Sequence, residues 1–394
     1  MAFIVGTAVL ASLGLLGLSY VAYPLALVVL DAAAQLSGNV RRLRRGVDRR
    51  RTRELPLPPT VSMVVAAHDE EAVLRQKLEN CLALQHPRDR LEILVGSDGS
   101  TDGTEAIARA YAFRGVVLSS APRAGKASVL NRLVPLARGE IVVLSDANTF
   151  LAKDALRRLL VHFEDPAVGA VCGQLKLHGA GEESAYWLYE SLVKLYEGKL
   201  GCVLGANGGL YAVRRRLYRP LPADTITDDF VIPMRLLASG HRVVYEPAAV
   251  AFEEAGATAA EFKRRARIGA GNLQALGFLR ALWRGPRRGV AAAFLFHKLV
   301  RWLGPLWLTV ALAGSLVLWS SPFFRGVLLV QLACYAAALW GSRPHPGRLG
   351  RACALAHHFV AMNVALAVGA WRYLRGAQSA AWERTRAVSG YGRG

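Results

Sequence analysis

Four acidic stretches in this chain stand where a short apolar run stops or a helical one starts. Ala67-His68-Asp69-Glu70-Glu71 follows Val61 to Ala66. Ser97-Asp98-Gly99-Ser100-Thr101-Asp102-Gly103-Thr104 follows Leu91 to Val95, and Ser145-Asp146-Ala147-Asn148-Thr149 follows Ile141 to Leu144. Thr227-Asp228-Asp229 precedes an apolar helical run through Phe230, Ile232, Met234, Leu236 and Leu237. Carboxylates gathered in one crevice are suited to holding a hard cation and to taking a proton from a hydroxyl. The same residue types are ordinary helix N-caps. Asp102 and Thr104 read as caps, and Asp228-Asp229 also reads as an acid-rich first turn favoured by the helix dipole.

The elements that must place these acids alternate in type. Strand-length runs at Val61–Ala66, Leu91–Val95, Val116–Leu118 and Ile141–Leu144 are separated by helical patterns. These patterns cover Glu70–Leu84, Thr104–Ala112 and Lys126–Ala137, the last disturbed by Pro135. Such alternation predicts an α/β domain with a mostly parallel sheet and helices on both faces. Ligands of such sheets bind beyond the C-terminal strand ends, where three of the acidic stretches fall.

The motif order resembles the family 2 inverting glycosyltransferases of the GT-A nucleotide-sugar-binding fold. It is similar to their membrane branch of cellulose, chitin, hyaluronan and poly-N-acetylglucosamine synthases. The resemblance covers roughly Val61 to Leu276. It is carried by Val64 to Glu71, Ser97 to Thr104, Gly125-Lys126 with Asn131, Asp146-Ala147-Asn148, Asn207 to Arg214, Thr227-Asp228-Asp229 and Arg264 to Arg267.

The resemblance implies a UDP-sugar donor. Ala67, Glu70 and Asp98 would line the nucleoside pocket, with Asp98 on the uracil. Lys126, Asp146, Arg264 and Arg267 would serve the diphosphate. It implies Mg²⁺ or Mn²⁺ at Asp146 and Asn148, where the family has Asp-x-Asp and this chain an amide. It makes Asp229 the catalytic base and Asp228 its neighbour, with Glu253 and Glu254 in reserve if that pair is only a helix start. At the family's Gln-x-x-Arg-Trp position this chain has Arg264 for Gln and Ile268 for Trp. That departure favours single sugar transfer over processive synthesis.

The chain has 394 residues, 53% of them hydrophobic and 20% charged, with a net charge of +20. This excludes intrinsic disorder and argues against a wholly water-soluble protein. Five unpaired-looking Cys predict neither a disulfide framework nor a zinc site. Residues 2 to 30 carry no charge, long enough to cross a bilayer, and a block of eight Arg between Arg41 and Arg53 follows. Positive charge beside a membrane helix marks the cytoplasmic side. Lacking interleaved aromatics, the block does not read as a nucleic-acid patch.

Trp302–Phe324, Gly326–Ser342 and Ala352–Trp371 are further uncharged runs, the first two a hairpin around Ser321-Pro322. His357 and His358 in the third run read as interfacial. The predicted organisation is a transmembrane helix over 1–34, a basic linker over 35–55 and a cytoplasmic GT-A domain over 56–285. An interfacial amphipathic helix over 286–301, about three membrane helices over 302–371 and a basic tail over 372–394 follow. Three C-terminal crossings would put the tail outside, whereas its Arg residues favour the inside.

The expected protein is a multi-pass enzyme of the cell membrane that moves a sugar from UDP to a lipid-linked or polysaccharide acceptor. Its partners are the donor, that acceptor, the bilayer and, for a wide secretion channel, a further membrane subunit. No nucleic acid is expected. A processive synthase and a non-catalytic assembly factor retaining the fold are the rival readings.

Overall fold

The computed structural model describes residues 1–45, 57–178, 183–254, 258–343 and 345–378. The end of the Arg41–Arg53 block and most of the Arg-rich tail lie outside the described residues.

Among the described residues eight strands build one sheet: β1 Val61–Ala67, β2 Leu91–Asp98, β3 Val116–Ala121, β4 Ile141–Asp146, β5 Phe150–Leu151, β6 Val168–His178, β7 Tyr211–Arg214 and β8 Arg242–Glu254. Their order is β3-β2-β1-β4-β7-β6-β8-β5. The β3-β2-β1-β4 half is parallel. Beyond β4 the sheet is mixed: β7 runs antiparallel to both β4 and β6, and β5 to β8. β1 is buried at every position, as a parallel strand covered on both faces must be.

Among the described residues fifteen α-helices accompany the sheet. α1 Ala2–Gly17 and α2 Tyr23–Arg45 join through a π-helical turn, Leu18–Ala22. In the middle domain lie α3 Glu71–Leu82, α4 Thr104–Ala110, α5 Lys126–Leu133, α6 Ala155–Leu160, α7 Glu183–Leu200, α8 Asp228–Ala238 and α9 Thr258–Gln274. After it come α10 Phe278–Arg284, α11 Arg288–Ala293, α12 Val300–Trp302, α13 Gly304–Val317, α14 Pro322–Trp340 and α15 Gly347–Leu374. Leu74, Leu78 and Cys81 of α3 and Leu156 and Leu159 of α6 pack on one sheet face against Met63, Ile93 and Val143. Val129, Leu130 and Leu133 of α5 and Ile232 and Leu236 of α8 cover the other, against Val64, Leu94 and Leu144. α5 yields to a 3₁₀ turn at Val134–Leu136, where Pro135 cannot continue an α-helix.

The N-terminal helix does not end at 34. It continues unbroken to Arg45, because Leu, Arg and Gln are strong helix formers and no proline interrupts them. The 286–301 segment also departs from expectation. It is α11, a π-helical turn at Phe294–Leu299 and α12, and His297, Lys298 and Arg301 turn inward while Arg288 stays exposed. Glu190 and Glu197, two turns apart on α7, present acids to it. His297 Nδ1 lies 2.6 Å from Glu197 Oε1, which also accepts the Tyr23 hydroxyl at 2.7 Å. Arg301 pairs with Glu190 and donates from Nε to Ser19 Oγ at 3.2 Å. Glu197 and His297 are fully buried. The polar stripe is therefore a buried seam joining the N-terminal helix to the sheet domain, not a headgroup-facing surface.

Three described helices are long and apolar enough to cross a membrane: Ala2–Leu36, Pro322–Trp340 and Gly347–Leu374. The first leg of the expected hairpin is shorter than predicted. α13 has 14 residues, about 21 Å of helix against a core of about 30 Å. It reaches span length only with residues 288–302, from which it bends by 59°. The turn falls at Ser321-Pro322 as predicted, with Pro322 opening α14. His357 Nδ1 lies 3.1 Å from the Ala338 carbonyl oxygen, so it ties α15 to α14.

The buried seam should be costly to break from one side. Glu197→Ala leaves buried His297 with only Glu190, 3.6 Å from its Nε2, and breaking such pairs from one side costs about 3–5 kcal/mol. Tyr23→Phe removes one hydrogen bond, worth about 1 kcal/mol. Thermal unfolding in detergent should show a much larger Tm loss for the first.

Candidate active site

Strand register brings the predicted acids together. Ala67 of β1 pairs with Ser97 of β2, and Ala66 with Asp146 of β4. Ala67, Asp98 and Asp146 thus stand along one C-terminal sheet edge. Asp98, almost fully buried, spends its carboxylate on the backbone. Oδ1 accepts from Ala124 N at 2.8 Å and Gly125 N at 3.2 Å, and Oδ2 from Gly125 N at 3.0 Å. Gly125 has φ +93°, a conformation L side chains rarely adopt. Asp98 therefore shapes the turn that launches α5 and presents Lys126. Glu70, also buried, precedes α3, and its amide donates to Thr104 Oγ1 at 2.7 Å.

Lys126 is the centre of the site. Its Nζ is 2.7 Å from Asp146 Oδ1 and 3.4 Å from Asp228 Oδ1. Burial works against its charge, but Asp146, Asp228 and Asp229 outweigh burial and raise its pKa. Asp228 is buried, and its Oδ2 accepts the Tyr211 hydroxyl at 2.7 Å. Both its oxygens are engaged. Asp229 differs: among the described residues its carboxylate has no hydrogen-bond or ion-pair partner. Burial first, then neighbouring Asp228, pushes its pKa up to about 6. That value suits a base working near neutral pH.

Gly208 leaves room between two of these acids. A Cβ there would lie 3.3 Å from Asp146 Oδ2 and 3.4 Å from Asp229 Oδ2. The free oxygen of Asp146 and the carboxylate of Asp229 therefore border one open space. Asn148 turns its amide nitrogen to Glu253 Oε1, at 3.2 Å. Arg264 Nη1 lies 3.7 Å from the same oxygen, and Arg264 Nε lies 3.3 Å from Glu261 Oε2. Arg267 donates to the Ile226 carbonyl at 3.0 Å. Lys126, Asp146, Asn148, Asp228, Asp229, Arg264 and Arg267 line one cavity of about 2220 Å³, together with Glu70. Ala67 and Asp98 lie behind its wall. The cavity continues past Ile268 to Leu308, Phe323, Val327, Val330, Leu355 and Phe359 on α13, α14 and α15.

The donor set fits a hard divalent cation. Asp146 offers a carboxylate oxygen not used by Lys126, and Asn148 a carbonyl oxygen. Among the described residues no three His, Cys, Asp or Glu side chains converge as a metal cage. Mg²⁺ and Mn²⁺ commonly bind through one or two protein oxygens plus substrate phosphates, so a cage is not required.

Sequence reading did not single out Gly208, Tyr211 or Lys194, the last of which bonds Asn207 in the cavity wall. Lys194 lies far in sequence from every acidic stretch, so spacing carried no signal for it.

Residues 62–226 match the family model described as Glycosyl transferase family 2. The chain carries a family 2 glycosyltransferase domain. It is 28% identical over 216 residues to a probable glycosyltransferase, YdaM, of Bacillus subtilis, covering 50% of this chain and 51% of that one. It is 31% identical over 194 residues to a beta-monoglucosyldiacylglycerol synthase of Synechocystis, covering 45% and 40%. The chain thus spans about half the length of these relatives or less. A solved mannosyltransferase of Pyrobaculum calidifontis, in complex with GDP-Man and Mn²⁺, superposes with a TM-score of 0.64 at 23% identity. That match covers 91% of this chain and 99% of the other, so the shared fold takes in the helices as well as the sheet. The glycosyltransferase domain has the expected GT-A fold.

Asp229 and Asp228 should separate kinetically. Asp229→Asn should lower kcat by about 10²–10⁴-fold with little change in donor affinity. Asp228→Asn, which keeps a partner for Tyr211, should cost less. A base must be deprotonated to act, so wild-type kcat/KM should fall below about pH 6, following the Asp229 carboxyl. A flat profile from pH 7 to pH 5 would remove Asp229 from that role.

Proposed function

We propose that this protein is a membrane-bound inverting glycosyltransferase that moves one sugar from UDP to a lipid-linked acceptor, with its catalytic domain on the cytoplasmic side. The observation that carries this reading is the single cavity running from Asp229 and Lys126 to the apolar faces of α13–α15. A drug-sized ligand fills about 300–1,000 Å³, so a nucleotide sugar leaves room for a second substrate. The apolar end suits hydrocarbon, and exposed Leu329, Val330, Leu339 and Leu374 beside it suit lipid contact. A glycolipid-forming relative supports a lipid acceptor, and Ile268 in place of a stacking Trp supports single transfer. The unpartnered carboxylate of Asp229 disfavours a non-catalytic assembly factor.

In this mechanism the acceptor oxygen attacks the anomeric carbon from the face opposite the diphosphate. Asp229 takes the hydroxyl proton as the new carbon–oxygen bond forms. The bond from that carbon to the diphosphate oxygen breaks, and its electron pair leaves with UDP. Lys126, Arg264 and Arg267 neutralise the departing charge. Asp146 and Asn148 would hold Mg²⁺ or Mn²⁺, which supplies further charge neutralisation at the diphosphate when bound. Asp228 and Tyr211 keep Lys126 aimed. Uracil as the nucleobase of the donor rests on the resemblance at Asp98, whose carboxylate is largely occupied by backbone amides.

Only two full crossings between the domain and Arg372 would return the tail to the domain's side. That count agrees with the basic residues beyond α15.

Purified protein should be incubated with UDP- and GDP-sugars and a native lipid extract, and the product identified by mass spectrometry. A sugar–lipid product formed from UDP-sugar is expected; transfer from GDP-sugar alone would overturn the donor assignment. A Cβ at Gly326 meets nothing within 4 Å, yet Gly326 lines the apolar end of the cavity. Gly326→Phe should therefore fold, lower transfer to lipid and leave UDP affinity unchanged. EDTA should abolish transfer, and Mn²⁺ or Mg²⁺ should restore it.

A further inference from the structure

The Asp146-Ala147-Asn148 turn offers one negative charge. A divalent cation beside a diphosphate is held by few protein atoms, so the missing charge at Asn148 matters. The structure places a carboxylate against that amide from more than a hundred residues away. Glu253, near the end of β8, is 7% exposed and accepts the Asn148 side-chain amide at 3.2 Å. The contact is built into the sheet. β5 follows the turn directly and pairs antiparallel with β8, Phe150 opposite Phe252 and Leu151 opposite Ala251. Ala152 N adds a bond to the Val250 carbonyl at 2.9 Å. The turn is therefore stapled to the strand that carries Glu253.

We infer that Glu253 is a positioning residue that restores the second negative charge of the cation site, acting through Asn148. Its carboxylate draws the amide hydrogens of Asn148 to itself. Asn148 then has its carbonyl oxygen left as the donor it can offer. The charge of Glu253 polarises that amide and adds to the field of Asp146. Burial pushes the Glu253 carboxyl up, and Arg264, 3.7 Å from the same oxygen, pulls it back toward the ionised form and links the cation site to α9. In chemical terms an acid in the turn has been exchanged for an amide in the turn plus an acid on a neighbouring strand. The inference rests on the proposed cation at Asp146 but on neither the sugar nor the acceptor.

The test is Mn²⁺ binding to the full chain in detergent, read by the electron spin resonance signal of free Mn²⁺, with and without UDP. Glu253→Gln keeps the size and an oxygen for Asn148 but removes the charge, and should weaken Mn²⁺ binding about tenfold. Asn148→Asp in the Glu253→Gln background returns the acid to the turn and should bring affinity back to within about threefold of wild type. A purely structural role predicts wild-type Mn²⁺ affinity for Glu253→Gln. That result would overturn the inference, as would Glu253→Gln weakening UDP binding without Mn²⁺ while sparing Mn²⁺ itself. Failure of the double variant to recover, with an unchanged melting temperature, also overturns it. Absence of Mn²⁺ binding by the wild-type chain in both conditions would remove the cation site altogether. Failure to transfer sugar to lipid would leave these titrations unaffected.

Discussion

One buried ammonium organises the polar end of this molecule. Lys126 sits among three aspartates, touching Asp146 and Asp228 and lying close enough to Asp229 to feel its charge. Without it, three carboxylates would crowd a poorly solvated crevice, and like charges so placed cannot all stay ionised. Its aim is secured from behind. Asp98 binds the two amides of the preceding turn, and Gly125 allows the backbone angle that points α5 at the acids. The cluster also assigns different work to adjacent residues. Asp228 is tied to Tyr211 and Lys126, while Asp229, one residue on, keeps its carboxylate for the cavity.

The candidate membrane-crossing helices are not a separate appendage. Glu190 and Glu197 of α7 take Arg301 and His297 of the 288–302 segment, and the N-terminal helix joins them because Tyr23 donates to Glu197 and Arg301 donates to Ser19. A buried pair of this kind adds little net stability against a hydrophobic alternative, but its loss from one side is expensive. Such a seam specifies how the elements meet more than how tightly they hold. On the other side Gly369 of α15 lies against Ala266 of α9, where a Cβ would fall 2.2 Å from the backbone oxygen. The helix bearing Arg264 and Arg267 is therefore packed on α15, one of the helices long and apolar enough to cross a membrane. The cavity shared by both regions follows from these two junctions.

Several features were legible from residue type and spacing alone. The parallel β1–β4 strands with their intervening helices, the break at Pro135 and the turn at Ser321-Pro322 all follow local rules. Periodicity and proline act within a few residues, so a linear reading suffices for them. The acids at the strand ends were legible for the same reason, since a parallel sheet must deliver successive C-termini to one edge. What they do there was carried by the resemblance and not by spacing.

The tertiary structure decided what depends on contacts across the chain. The polarity of residues 288–302 is the same whether they face headgroups or acids, and only packing on α7 turns them inward. The short reach of α13 depends on a bend that hydropathy does not encode. Asp228 and Asp229 are chemically identical in sequence, and Tyr211, Lys126 and Gly208 distinguish them through space. Glu253 meets Asn148 because β5 and β8 pair across about a hundred residues. Local rules determine which elements form, whereas charge balance in a buried site is a long-range property that appears only when the sheet is assembled.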